Sequence, residues 1–231
     1  MSQIKNNIEE IKRKIDIAAK KSGRKYEDIT LIAVTKTVDV PRIKEALSSG
    51  ICHIGENKVQ EIMRKYEHID TNIHWHLIGH LQTNKVKYII DKVDLIHSVD
   101  SERLAYKINE QAAKKGKIMD ILLQVNVAKE KTKFGLFMEE VEPLIDKVKN
   151  LENIRVKGLM TIAPYVENPE ENRTHFRNLK QLSVDISKRN IDNISMEILS
   201  MGMTNDYEVA IEEGATMVRI GTGIFGERNY N

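Results

Sequence analysis

The chain has 231 residues, enough for one large domain or two small ones with a substantial core. Its 36 basic and 34 acidic side chains leave a net charge of +2, so the charge balance calls for neither nucleic acid nor a membrane surface. The lone cysteine, Cys52, excludes an internal disulfide framework and suits a reducing, cytoplasmic setting. Cys52 precedes an apolar run and is expected in the core rather than as a nucleophile. The N-terminus lacks an apolar signal-peptide core, and no uncharged stretch is long enough to span a bilayer.

Ile4, Ile8, Ile11 and Ile15 form one apolar helix stripe that Gly23 would stop. Short apolar runs then alternate with charged amphipathic stretches. The runs cover 31–35, 53–55, 74–79, 95–99, 120–127, 155–161, 195–200 and 217–221; helical patterns include 41–48, 58–66, 101–115, 139–149 and 170–188. Eight β-then-α repeats in this length predict an α/β fold, a single (β/α)8 TIM barrel over 1–231 with an extra N-terminal helix. A doubly wound sheet would want a glycine-rich turn after its first strand, and none follows Lys36. The longest surface loop is expected at 164–169.

Active sites of such barrels lie at the C-terminal ends of the strands, with phosphate sites beyond the seventh and eighth. Lys36 ends the first run, where partial desolvation would favour the neutral amine and make it a nucleophile towards an aldehyde. The seventh and eighth runs end in Ser200-Met201-Gly202-Met203-Thr204 and Gly221-Thr222-Gly223, small-residue turns whose backbone N–H groups can approach a phosphate. Arg219 adds a permanent forked charge. Barrel closure sets the eighth strand beside the first, so a phosphate at the turns and a carbonyl at Lys36 belong to one small ligand. Pyridoxal 5′-phosphate (PLP) has both handles, and so does the phosphorylated sugar of a Schiff-base aldolase.

Other strand ends carry polar groups without a clear dyad. Asn57 reads equally as a ring contact and as a helix N-cap. His53, His74, His76 and His80 lack the carboxylate or cysteine of a usual ligand set, so no metal site is expected, and His80 is placed at the rim. Asn126 and Lys133 lie around the fifth run, with Lys133 read first as a solvated loop lysine. Met160 and Thr161 end the sixth run, where packing against a flat ring competes with core packing.

Together, Ala33-Val34-Thr35-Lys36, the segments 55–61 and 75–85, Gly158-Leu159-Met160, and the segments 199–204 and 219–226 resemble the pyridoxal phosphate homeostasis protein family, also called the YggS/PROSC family. The resemblance covers nearly the whole chain, with Thr204 where serine is common and Leu77 where phenylalanine is usual. It implies a barrel like the N-terminal domain of alanine racemase, PLP held as an internal aldimine on Lys36, and phosphate contacts from Ser200, Gly202, Arg219, Gly221 and Thr222. It also implies a carrier or buffer of PLP in vitamin B6 homeostasis, with PLP-dependent apoenzymes as recipients and no established turnover. A monomer is expected. The rival readings are a racemase-like PLP enzyme, which needs a second base for which Tyr165, Tyr207 and Tyr230 are the candidates, and the PLP-independent aldolase.

Overall fold

The isoleucine stripe folds as α1 (Gln3–Lys21), with Ile4, Ile8, Ile11 and Ile15 all buried. The Ser2 hydroxyl caps its start by accepting from the Lys5 N–H. The computed structural model describes residues 2–69, 72–130 and 132–227; Tyr230 lies outside them. Among the described residues no helix is long and apolar enough to cross a membrane.

Eight parallel strands close a barrel in chain order: β1 (Thr30–Val34), β2 (His53–Glu56), β3 (His74–Leu77), β4 (Leu95–Val99), β5 (Met119–Gln124), β6 (Ile154–Met160), β7 (Ile194–Ser200) and β8 (Met217–Ile220). Closure pairs Ile32 with Arg219 and Ala33 with Ile220. Around it lie α2 (Val40–Ser48), α3 (Val59–Lys65), α4 (Glu102–Lys114), α5 (Met138–Val148), α6 (Arg173–Ser187), α7 (Tyr207–Glu212) and α8 (Thr222–Phe225). The predicted (β/α)8 TIM barrel with an N-terminal helix is therefore the observed fold. Its apolar runs are near-continuous because parallel strands are covered on both faces.

The differences from expectation are local. The run 120–127 leaves the sheet after Gln124, because Leu136 returns to pair there: its N–H donates to the Gln124 carbonyl and its carbonyl accepts from the Asn126 N–H. The pattern at 170–188 splits at a 3₁₀ turn, Pro169–Asn172, before α6. The β3–β4 connection is a 3₁₀ helix, Thr83–Tyr88, rather than an α-helix. Cys52 is exposed, contrary to expectation; its neighbours Ile51 and Ile54 take the buried positions. Asn57 is not the N-cap of α3, since that position is Lys58.

Candidate functional site

The β1–β8 pairing brings Lys36 beside the turn after β8. Lys36, half-buried, Gly221 and Thr222 line one cavity of about 260 Å³ at the barrel mouth. Ligand cavities of this kind begin at about 300 Å³, so this one suits a single small ring with its substituents. The turns after β7 and β8 are joined by one side chain. The Thr204 hydroxyl oxygen accepts from the Gly223 N–H at 3.3 Å and lies 3.1 Å from the Thr222 hydroxyl.

Two glycines allow close contacts around these strand ends. Gly202 has φ +91°, and a Cβ there would fall 2.6 Å from the Ala210 Cβ. At Gly79 a Cβ would fall 2.3 Å from the Asn57 carbonyl oxygen, so β2 and β3 converge closely as they leave the sheet.

Arg42 was not singled out in the sequence. It lines the cavity, its guanidinium donates to the Phe225 carbonyl, and it stands 5.8 Å from the centre of the Phe225 ring. The signal for it is weak: Asp39 accepts from the Arg42 N–H at the start of α2, which fixes where that arginine emerges.

The Arg219 backbone N–H donates to the Gly202 carbonyl at 3.1 Å, but the Arg219 and Ser200 side chains bond to each other inside the barrel. Both are buried inside the barrel, where the guanidinium donates to the Ser200 Oγ at 2.6 Å and to the Thr161 carbonyl at 2.7 Å. Burial lowers Arg219 to about 10, so it stays charged at neutral pH. Among the described residues it has no carboxylate ion pair, leaving a preorganised cation inside the barrel.

Below it runs a line of imidazoles from β4, β3 and β2, in which His97 joins His76 and His53. His97 Nδ1 lies 2.9 Å from Ser200 Oγ, His76 Nδ1 lies 2.9 Å from His97 Nε2, and His53 Nδ1 lies 3.0 Å from His76 Nε2. Burial is the leading cause of their lowered basicity: His53 falls to about 4, His76 to about 3, and His97 well below its ordinary value. The rings bond edge to edge instead of converging on a point. Among the described residues no group of three or more His, Cys, Asp and Glu could hold a metal ion.

The remaining candidates are dispersed. His80 stacks on Phe134 with ring centres 3.9 Å apart and lies 3.7 Å from an Asp100 carboxylate oxygen. Asn57 is half-buried beside Gly79. Met160 is fully buried and packs with Leu95 and Leu122. Asn126 ties its own loop, bonding both polar groups of Glu130's backbone, and Lys133 is exposed. Tyr165 is exposed, whereas Tyr207 is buried and its phenol is pushed up by burial.

The family described as "Alanine racemase, N-terminal domain" matches residues 1–229. The pyridoxal phosphate homeostasis protein of Aquifex aeolicus is 45% identical over 224 residues, covering 96% of this chain and 97% of that one. Its counterpart from Escherichia coli K12 is 37% identical over 236 residues, covering 100% and 99%. The structure of PipY from Synechococcus elongatus with PLP bound superposes with a TM-score of 0.85 at 30% identity, covering 97% of this chain and 100% of that one. The chain belongs to the pyridoxal phosphate homeostasis protein family, built on the alanine racemase N-terminal barrel.

Proposed function

We propose that this protein holds PLP covalently and reversibly on Lys36 and acts in the cytoplasm as a carrier or buffer of the cofactor. The observation that carries the reading is the cavity that Lys36 shares with Gly221 and Thr222, which brings an amine and the small-residue turn after β8 to one small space. The residues fit the cofactor: Gly202 lets the turn after β7 pack closely on α7, and the Thr204 and Thr222 hydroxyls meet where the turns after β7 and β8 join. PLP supplies an aldehyde that condenses with a primary amine and releases water. PipY, 30% identical, binds PLP, and relatives are named for PLP homeostasis.

Within this reading Lys36 is the attachment point, and Gly202, Gly221 and Thr222 hold the phosphate. Asn57 and His80 stand at the rim. Arg219, with its cation inside the barrel, faces the ring rather than the phosphate; Ser200 acts by fixing Arg219, and Met160 packs beneath. The role is storage rather than turnover, because proton transfer at an amino acid needs a base within hydrogen-bond reach. Of the two tyrosine candidates among the described residues, Tyr207 is committed to the core and Tyr165 to solvent. We read the protein as a monomer whose recipients are PLP-dependent apoenzymes.

The test is transfer. Protein loaded with PLP and freed of excess cofactor is mixed with a PLP-dependent apoenzyme, and the recovery of that enzyme's activity is followed. The same loaded protein is assayed for α-hydrogen exchange on a panel of amino acids in deuterated water. Transfer with exchange no faster than free PLP supports a carrier; many turnovers per site would make it an enzyme.

A further inference from the structure

Behind β1, on the side facing α3, a second lysine is entirely buried. Lys65 is 1% exposed, and its Nζ donates to the Thr35 carbonyl at 2.8 Å and to Glu56 Oε1 at 2.8 Å. It also pairs with Glu61 Oε2 at 2.7 Å. An ammonium costs several kcal/mol to bury unless it is paired and hydrogen-bonded, so a plain packing position would favour leucine or methionine. Here all three donors have acceptors.

Two of those acceptors lie at the peptide groups on either side of Lys36. The peptide group before it is held by its Thr35 carbonyl, which accepts from Lys65; Thr35 is held again by its hydroxyl, 2.7 Å from Glu56 Oε1. The peptide group after Lys36 is held by its Thr37 N–H, which donates to Glu61 Oε2 at 3.4 Å. Thr37 itself has φ +63°, the left-handed region that a β-branched residue rarely adopts without being held there. Both peptide planes that set the direction of the Lys36 side chain are thus tied to one ion cluster.

We propose that Lys65 is a positioning residue for Lys36: its ion pairs with Glu56 and Glu61 fix the peptide groups on either side and aim the Lys36 amine into the cavity. The inference rests on the assignment of Lys36 as the attachment point. In that step the neutral Nζ attacks the aldehyde carbon, a C=N bond replaces the C=O bond, and the oxygen leaves as water with the two amine protons. Attack needs a held geometry, whereas grip on the phosphate does not involve Lys36. Lys65 therefore controls one part of cofactor binding and not the other.

The experiment compares two ligands. PLP can attach to Lys36; pyridoxamine 5′-phosphate has the same ring and phosphate but an amine in place of the aldehyde. Lys65→Met is combined with Glu56→Gln and Glu61→Gln so that no charge is left buried alone, and folding is checked by circular dichroism and thermal melting. Loss of a positioned nucleophile should weaken PLP roughly tenfold to a hundredfold, with pyridoxamine 5′-phosphate binding unchanged. Glu61→Met, at a site 20% exposed and with the Glu56–Lys65 pair intact, should give a smaller loss of the same kind and serves if the triple variant does not fold. Equal losses for both ligands, or no loss for either, would overturn the positioning role. A wild type that binds both ligands but yields no borohydride-fixed adduct on Lys36 would instead defeat the proposed function beneath it.

Discussion

The Arg219 guanidinium donates to the Ser200 hydroxyl oxygen at 2.6 Å, and that bond sets the direction of every hydrogen bond beneath it. A hydroxyl has one proton to give, and among the described residues the other partner of Ser200 Oγ is His97 Nδ1. Ser200 therefore donates to His97 Nδ1, His97 Nε2–H donates to His76 Nδ1, and His76 Nε2–H donates to His53 Nδ1. The opposite order would leave the buried Ser200 proton without an acceptor among the described residues.

This polarity predicts that His53, His76 and His97 are all neutral Nε2–H tautomers at pH 7. Two-bond ¹H–¹⁵N correlation spectra of the imidazoles read this directly. Nδ1–H signals from His76 or His97 would refute the assigned direction.

The same rings make stability depend on acid. In the unfolded chain a histidine titrates near 6.5, whereas His53 and His76 titrate in the fold at about 4 and about 3. Between those values the unfolded state binds more protons, so stability rises with pH. It is fully present above about 6.5 and is lost as pH falls toward 4 and then 3. Denaturant midpoints measured from pH 7.5 to 4 should fall steadily below 6.5. Replacing His76 by Phe should flatten that slope.

Much of this architecture is legible in the sequence, because eight near-continuous apolar runs leave few alternatives to a closed parallel barrel. Lys36 and the turns at 200–204 and 221–223 stand out because they sit at strand exits. The ring system does not stand out: His97 is bonded to Ser200 across 103 positions, and a histidine in an apolar run shows nothing of its partners. Lys65 was hidden for a related reason. A lysine in a charged helix reads as a solvated face unless the burial of Glu56 and the Thr35 carbonyl beside it is already known. Cys52 failed in the other direction, since an apolar neighbourhood in the chain does not fix which way one side chain points.

Arg219 and Thr204 should separate the two halves of the cofactor. Arg219→Met removes a buried charged donor and should cost about 1.5–3 kcal/mol with both PLP and pyridoxal. Thr204→Val removes the hydroxyl that joins the two turns and should cost about 1 kcal/mol with PLP only. Fluorescence or absorbance titrations with the two ligands give the comparison. A loss confined to PLP in Arg219→Met would return that side chain to the phosphate.

Gly202→Ala tests the turn itself. A side chain at φ +91° and 2.6 Å from the Ala210 Cβ forces the turn or α7 to shift. The strain should cost about 1–3 kcal/mol of stability and weaken PLP more than pyridoxal. Thermal melts and the same titrations measure both effects. A variant as stable as wild type with unchanged PLP affinity would show that the turn does not need glycine.

The central claim is that PLP is fixed to Lys36, and mass spectrometry after borohydride reduction tests it most directly. Protein incubated with PLP, reduced, digested and sequenced by fragmentation should carry the pyridoxyl group on Lys36. Lys36→Ala should fold normally, lose the visible absorption band and yield no adduct at this peptide. Adduct found chiefly on Lys133 or another lysine of the wild type, with Lys36 unmodified, would contradict the account.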